Sequence, residues 1–344
     1  MDPISQGVLG GVAAQNFSRK EHIIAASILG LIGGMAADLD ILINSNTDPL
    51  LFLEYHRQFS HSLIFIPAGG LICALLIHWS IRLVRKLSRS RLATQWSLNF
   101  RQTLKYTTAG YATHALLDTC TSYGTQLFWP FSNIRISWSN ISIIDPLFSI
   151  PLAVMAVLAI SKRKPAIARF TVMWVLLYLG FGLIQKERAE NAGWELAQSR
   201  GHSPARLETK PGFGNLLLWK IIYEAENSYF VDGVRVGLTP LIYPGTSITK
   251  LDVTRDFPWL DPSSQQAQDI ERFRWFSDGF ISVHPADPNK VIDVRYSMLP
   301  NQINPLWMIV LDRNASPDQH ADYTHATRVT DSTLEKFKEM LLGQ

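Results

Sequence analysis

Cysteine is scarce in this chain of 344 residues, and the two that occur, Cys73 and Cys120, both lie in the first half. A disulfide framework in the second half is therefore excluded. Three short motifs are also absent: the HExxH of zincin-type proteases, the GxxxxGK[ST] phosphate loop and the GxSxG nucleophile elbow. These absences exclude the motif-defined members of those three classes.

Acidic residues are few in the first half and common in the second. Residues 1–185 hold 8 Asp+Glu against 15 Lys+Arg, whereas residues 186–344 hold 21 against 17. The overall net charge of +3 is therefore +7 from the first part and −4 from the second. The start of the chain has its positive charges after its first apolar stretch, the reverse of a secretory signal peptide. We predict a membrane domain over residues 1–185 and a soluble domain over residues 186–344.

Five apolar runs of roughly the length that spans a bilayer, about 20 residues, predict transmembrane helices. They cover residues 23–43, 62–81, 104–120, 143–160 and 168–185. A shorter apolar run, residues 3–14, is compatible with a short span, a surface helix or a segment that enters the membrane partway. The first half is therefore expected to form a polytopic α-helical membrane domain of about five or six helices.

Basic residues at the ends of these runs predict their orientation. Residues 82–105 carry seven positive charges and no acid, and further basic groups lie at residues 19–20 and 162–169. Because such groups stay on the cytoplasmic side, we expect residues 44–61, residues 121–142 and everything after Lys186 on the outer face.

The second half carries β-rich runs such as "LLLWKIIYEA", "NSYFVDGVRVGL" and "VIDVRYSML", broken by Gly, Pro, Asn and Asp. A helix is predicted at residues 331–342. These patterns indicate a small extracytoplasmic α+β domain.

Ionisable residues of the membrane half collect at its predicted outer level. Charged groups in apolar segments are costly, so they are candidates for function. Four separate stretches supply them: Asp38, Asp40, His56, Arg57, His61, His114, Asp118 and Asp145.

Spacing and donor type favour a divalent metal site. His114 and Asp118 are four residues apart, so they share one face of a helix. Asp38 and Asp40 are about 200° apart on an ideal helix, so both point inward only if the helix ends there. Mixed imidazoles and carboxylates suit zinc, with manganese or magnesium as alternatives.

Roles follow from this chemistry as expectations. The predicted metal ligands are Asp38, His56, His61, His114 and Asp118. Asp40 is the predicted general base, and Arg57 is expected to stabilise developing negative charge. Asp145 is a third catalytic candidate, although an Asp before Pro146 also fits a helix N-cap. Any one of these histidines alone would fit a structural role, so the prediction depends on their convergence.

Four motifs in this order resemble the YdjM-like family of membrane-bound metal-dependent hydrolases. They are "GGMAADLD", "HRQFSHS", "HALLDTCTSYGTQLFWPFS" and "IIDPLFS", within roughly the first 160 residues. The resemblance implies the bacterial inner membrane, regulation of some members by the LexA repressor, and the polar residues above as the family's signature. Many relatives have a histidine near the N-terminus where this chain has Gln6, which leaves one imidazole fewer or a supporting amide donor.

Our leading hypothesis is a metal-dependent hydrolase that acts on an ester or phosphoester of a membrane lipid or lipid-linked substrate. The alternatives are a non-catalytic membrane assembly or binding protein, and a transporter that uses the His/Asp cluster. A transporter is disfavoured because the deeper parts of the apolar runs have almost no ionisable groups. The basic runs lie beside spans, so no nucleic-acid partner is expected.

Overall fold

The computed structural model describes residues 1–87, 98–325 and 330–344. These residues form two compact units, one of Met1–Leu42 with Tyr55–Phe181 and the other of Ile43–Glu54 with Gly182–Gln344. The sequence analysis had assigned residues 43–54 to the membrane domain. Two basic residues used for the orientation, Arg89 and Arg91, lie outside the described ranges.

The first part of the chain is helical, as predicted. Among the described residues, three segments are long and apolar enough to cross a membrane, namely Ile23–Leu42, Leu63–Leu87 and Pro165–Ser199. Short 3₁₀ helices extend or link the α-helices at Ala37–Leu42, Phe59–His61 and Leu63–Phe65. The α-helices are α1 (Pro3–Asn16), α2 (Ile23–Ala36), α3 (Leu51–Tyr55), α4 (Ile66–Leu87), α5 (Phe100–Cys120), α6 (Pro146–Lys162) and α7 (Pro165–Ser199).

Glycines let α1, α2 and α5 approach closely. A Cβ atom added to Gly30 of α2 would lie 2.3 Å from the carbonyl oxygen of Gly10 in α1, and one added to Gly110 of α5 would lie 2.1 Å from the carbonyl oxygen of Gly30. Real Cβ contacts do not occur at such distances, so only glycine permits this packing. The run at residues 3–14 is thus a helix packed against α2 and α5.

Side-chain caps fix where several of these helices begin. Asp2 accepts a hydrogen bond from the amide of Ser5 at the start of α1. Asn99 and Gln102 form a reciprocal capping box at the start of α5, which satisfies two helix-terminal amides. This cap fixes the start of α5, the helix that carries His114 and Asp118.

The second unit contains two four-stranded antiparallel sheets, which confirms an α+β region after the helices. Residues of both sheets, among them Ile222, Val231, Ile292 and Met308, share one buried core. The strands are β1 (Arg206–Pro211), β2 (Leu218–Ala225), β3 (Ser228–Val236), β4 (Pro240–Thr249), β5 (Ile281–His284), β6 (Asp287–Asp293), β7 (Trp307–Val310) and β8 (Asp322–His325). The helices of this part are α8 (Val253–Asp256), α9 (Gln265–Phe276) and α10 (Asp331–Leu342).

One arginine explains why residues 43–54 belong to the second unit. Arg272 of α9 donates from its two terminal nitrogens to both carboxylate oxygens of Asp48, at 2.9 and 2.8 Å. Its Nε donates to Glu54 at 2.5 Å. Bidentate Arg–carboxylate pairs are among the stronger ion pairs in proteins, so Arg272 anchors the middle and the last residue of this stretch.

Candidate metal centre

Four side chains from three chain segments meet at one point in the first unit. Asp38 lies on the 3₁₀ helix that continues α2, His61 ends the 3₁₀ helix Phe59–His61, and His114 and Asp118 lie one turn apart on α5. The side chains of His61, His114 and Asp118 are fully buried, whereas that of Asp38 is 24% exposed. One nitrogen or oxygen of each side chain lies within 4.8 Å of the others.

The distances between these atoms are nearly equal. Nε2 of His61 lies 3.5 Å from Oδ1 of Asp38 and 3.3 Å from Oδ2 of Asp118. Nε2 of His114 lies 3.2 Å from the same oxygen of Asp38 and 3.5 Å from the same oxygen of Asp118. A tetrahedron with metal–ligand bonds of about 2.0–2.1 Å has edges of about 3.3–3.4 Å. The four nitrogen–oxygen distances therefore match four of the six edges of such a tetrahedron, and the other two pairs of atoms lie within 4.8 Å.

In each of the two imidazoles, the contact that Nδ1 makes determines which ring nitrogen carries the proton of the neutral ring. Nδ1 of His114 lies 2.5 Å from the carbonyl oxygen of Gly34, which can only accept, so His114 donates there. Nδ1 of His61 lies 3.1 Å from Oδ2 of Asp40, and this carboxylate also serves as an acceptor. A neutral ring protonated at Nδ1 presents a bare lone pair at Nε2. In the neutral ring of either histidine, Nε2 therefore faces the cluster as an acceptor.

The imidazoles and carboxylates of the cluster thus present acceptors to one another, and one donor group, the Arg57 guanidinium, lies beside Asp118 with its Nε 3.1 Å from Oδ2. In the part of the chain that the structure describes, Nε2 of His61, Nε2 of His114 and Oδ2 of Asp118 are buried without a hydrogen-bond partner. Buried polar atoms without partners are rare in proteins because each costs about 1–3 kcal/mol. A shared cation would satisfy all three atoms together with Asp38. The His/Asp cluster is therefore one that could hold a metal ion.

Carboxylates dominate the electrostatics around His61. Burial by itself lowers the pKa of this histidine, but the nearby carboxylates of Asp118, Asp38 and Asp40 outweigh burial and raise the pKa to about 10. Without a metal ion this histidine would therefore be protonated at neutral pH, and a bound cation would take the place of that positive charge.

Supporting residues orient the other oxygen of Asp118. The amide Nε2 of Gln6 donates to Oδ1 of Asp118 at 2.7 Å, and the amino group of Met1 contacts the same oxygen. Gln6 is fully buried. Of the two alternatives for this position, the structure has the supporting donor, which leaves Oδ2 directed into the cluster.

Asp40 and His56 lie beside the cluster and pair with each other. Oδ1 of Asp40 lies 2.8 Å from Nδ1 of His56, and Oδ2 accepts from the amide of Arg57 at 3.0 Å and from Oγ of Ser60 at 2.7 Å. One ligand atom from each of Asp38, Asp40 and His56 also lies within 4.8 Å of the other two, so these three residues could hold a metal ion as well. These donors already use both oxygens of Asp40. Its contact with Nδ1 of His61 therefore fits a residue that orients the His61 ring. The general-base role of Asp40 and the ligand role of His56 stay predictions.

Arg57 is held in an unusual backbone conformation next to Asp118. Its φ of 64° lies in the left-handed region, which costs a non-glycine residue of order 1 kcal/mol. Its Nε lies 3.1 Å from Oδ2 of Asp118, its NH1 donates to Oγ1 of Thr121 at 3.0 Å, and its guanidinium stacks over Tyr123 at 4.7 Å. The expected role on a substrate oxygen stays a prediction, since these contacts are with the protein itself.

Asp145 caps α6. Its side chain accepts from the amides of Leu147 and Phe148, and the hydroxyl of Tyr178 donates to its other oxygen at 2.8 Å. These contacts match the capping alternative of the sequence analysis, and a catalytic role stays a prediction.

Several contributors to the site had no signal in the sequence. Gly34 contributes a main-chain carbonyl, which no side-chain pattern reveals. Ser60 and Thr121 contribute hydroxyls to Asp40 and Arg57, and hydroxyl residues are common everywhere. Ser60 could have been found from its position in "HRQFSHS", next to His61.

We expect Asp40→Asn to weaken metal binding without removing a ligand. An asparagine can turn its amide NH₂ toward Nδ1 of His61, which disfavours the tautomer with a bare Nε2 lone pair. Changes of this kind lower metal affinity by about 10–100-fold. Competition against a coloured zinc chelator measures the affinity. Asp145→Asn is the control and should leave it unchanged; equal affinity in wild type and Asp40→Asn would contradict the orienting role.

Comparison with known proteins adds one finding. The profile of the family described as "YdjM inner membrane protein" matches residues 1–189, more than half of the chain. This stretch contains every residue of the cluster. No curated protein and no solved structure matches the chain.

Proposed function

Because the chain belongs to the YdjM inner membrane protein family, we propose that it is a membrane-bound, metal-dependent hydrolase. Its substrate in this proposal is an ester or phosphoester of a lipid or lipid-linked molecule. The observation that carries the proposal is the set of four atoms from Asp38, His61, His114 and Asp118, in which each imidazole Nε2 lies 3.2–3.5 Å from both carboxylate oxygens.

Zinc is the ion that this donor set fits best. Two imidazole nitrogens and two carboxylate oxygens at tetrahedral spacing are typical of zinc. Magnesium prefers six oxygen ligands in octahedral geometry, and manganese likewise suits oxygen donors. The two histidines therefore favour zinc over the other two ions.

Lipid access is supported by the surroundings of Asp38, the most exposed of the four residues. Its neighbours Leu39, Ile41 and Leu42 on the same 3₁₀ helix are exposed and apolar. The polar and apolar side chains of this turn therefore point to different environments. A substrate in the bilayer could approach Asp38 across this apolar surface, which favours a reaction at the membrane–water boundary.

The loop at residues 121–142 supports the same location. Its apolar side chains Phe128, Phe131, Ile134 and Trp138 are exposed. The main-chain amide of Gln126 donates to the main-chain carbonyl of Arg57 at 2.9 Å. Aromatic residues are enriched at membrane interfaces. Together with the basic residues near the opposite helix ends, this favours the outer side of the inner membrane for the cluster.

In the proposed reaction the protein residues hold the cation and orient its ligands. A divalent cation polarises an ester oxygen and lowers the pKa of water toward 7. His61 and His114 are kept in the ligand tautomer by Asp40 and the Gly34 carbonyl, and Gln6 fixes the rotation of the Asp118 carboxylate. Arg57 adds a permanent positive charge beside Asp118, which favours an anionic transition state.

A structural metal is the second candidate. Zinc enzymes usually supply three protein ligands and keep the fourth position open, whereas structural sites use four. Four protein donors therefore also fit a non-catalytic membrane assembly protein in which the ion joins α5 to the end of α2. For catalysis, the partly exposed Asp38 would have to leave the ion and open a position for the substrate, or the ion would have to take a fifth ligand.

Metal content and hydrolysis, measured on the same full-length protein in detergent, separate these proposals. The phosphodiester probe is bis(p-nitrophenyl) phosphate, and the ester probe is p-nitrophenyl butyrate. We expect one zinc per chain, hydrolysis of at least one probe, loss of both properties in Asp118→Asn, and recovery of hydrolysis when zinc is returned to chelated wild type.

Each other result has a defined meaning. One zinc per chain without hydrolysis of either probe, in protein that keeps its fold, would favour the structural metal. Wild-type protein that is folded and takes up no zinc or manganese would overturn both proposals.

A further inference from the structure

An apolar groove runs along the first unit between α4 and α5. Its volume is about 610 Å³, and almost all of its lining is apolar. Leu71 of α4 and Leu104, Ala109 and Ala112 of α5 contribute to its walls, together with Phe17. The groove is separate from the metal cluster, whose four residues do not line it.

Two basic residues mark one end of this groove. Arg101 and Lys105 both line it and lie one turn apart on α5, near the start of the helix. The Lys105 ammonium lies over the ring of Phe17 at 5.3 Å and donates to the carbonyl of that residue at 3.3 Å. Phe17 thus holds the Lys105 ammonium at the groove. A freely mobile surface lysine would lack these two contacts.

The groove has the length of a lipid chain. From Arg101 to Ala112 the helix rises about 16 Å, at about 1.5 Å per residue. Basic pockets between helices at the cytoplasmic side bind anionic headgroups, and a cation pair at one end of an apolar groove complements a phosphate joined to an acyl chain. Zwitterionic lipids carry a compensating amine and fit this end less well.

We propose that this groove binds one anionic phospholipid, with its phosphate at Arg101 and Lys105 and an acyl chain along Leu104, Ala109 and Ala112. The lipid is a resident ligand, distinct from the substrate of the proposed hydrolase, because its headgroup end is the basic end of α5 and the metal cluster includes residues at the other end. The inference does not depend on metal binding or on hydrolysis.

Native mass spectrometry of the full chain in detergent tests this proposal. The probes are phosphatidylglycerol and phosphatidylethanolamine with identical acyl chains. We expect one phosphatidylglycerol per chain at concentrations where phosphatidylethanolamine does not bind. Arg101→Gln should weaken this binding about fivefold, and Arg101→Gln with Lys105→Gln about thirtyfold, from the usual contribution of one basic residue near an anionic headgroup.

A second arm tests the acyl chain. Ala109→Trp fills the middle of the groove and should abolish phosphatidylglycerol binding, whereas Leu176→Trp, at an exposed apolar position of α7 that does not line the groove, should leave it unchanged. Glycerol 1-phosphate in large excess should not displace the lipid, because it lacks the chain that fills the groove. Displacement would point to a site for free phosphate esters and would overturn the lipid assignment.

Matched charge variants complete the design. Lys162→Gln with Lys164→Gln removes two charges from another basic end without touching the groove, and should leave binding unchanged. The proposal is overturned if this pair weakens binding as much as the Arg101 and Lys105 pair, if both lipids bind equally, or if Ala109→Trp binds like wild type. Far-UV circular dichroism checks that each variant is folded.

Discussion

His114→Ala is expected to abolish zinc retention, whereas His56→Ala is expected to keep one zinc per chain. Nε2 of His114 is one of the four acceptor atoms at the cluster. His56 has its Nδ1 paired with Asp40, at 2.8 Å, and that carboxylate in turn lies 3.1 Å from Nδ1 of His61. The two substitutions remove the same chemical group, so they distinguish a ligand from its supporting residue.

The expected magnitude follows from the number of ligands. A four-ligand zinc site contributes about 10–16 kcal/mol, so one ligand is worth about 2.5–4 kcal/mol, or about 10²–10³ in affinity. The effect of His56→Ala should be smaller than that of Asp40→Asn, which acts directly on His61. Chelator competition and elemental analysis measure both. If His56→Ala lost zinc as completely as His114→Ala, the ligand set would have to include His56.

The convergence of the site was predictable from the sequence because it follows from a few local rules. Charged groups in apolar segments face the protein interior, and basic loops orient the segments, so the acids and imidazoles of different segments must lie at one level. The pairing of His114 with Asp118 follows from helical spacing alone. The condition for Asp38 and Asp40 to point inward together was that the helix ends there, and α2 does change to a 3₁₀ helix at Ala37.

Which residues of the cluster face the metal position and which support them was not predictable from the sequence. Whether an imidazole binds a metal or pairs with a carboxylate depends on distances of about 1 Å, which residue spacing does not determine. Asp40 illustrates this point. Both His56 and His61 contact it, and only the three-dimensional structure distinguishes the histidine that faces the cluster, His61, from the other. The membership of residues 43–54 is a second example, because it depends on Arg272, more than two hundred residues away.

We expect Gly110→Ala to destabilise the first unit and to weaken zinc binding together. The new Cβ would lie 2.1 Å from the carbonyl oxygen of Gly30, and the next nearest atoms are also backbone of Gly30. Backbone cannot rotate away as a side chain can, so α2 and α5 must separate. Overpacking of this kind costs about 1–3 kcal/mol or more, which exceeds the gain of about 1 kcal/mol from replacing a helical glycine by alanine. Asp38 extends from α2 and His114 lies on α5, so their separation also distorts the cluster.

Two other glycines turn this prediction into a graded test. At Gly11 the added Cβ would lie 3.1 Å from the carbonyl oxygen of Ser27, so Gly11→Ala should cost less than Gly110→Ala. At Gly180 of α7 the added Cβ would meet no atom of the described residues within 4 Å apart from its own stretch of helix, so Gly180→Ala should unfold at the wild-type temperature or slightly above it. Thermal unfolding in detergent should therefore rank the midpoints Gly180→Ala, Gly11→Ala, Gly110→Ala from highest to lowest, and zinc affinity should follow the same order. A midpoint for Gly110→Ala equal to that of Gly180→Ala would mean that α2 and α5 are farther apart than described, and the geometry of the four acceptor atoms would have to be revised with them.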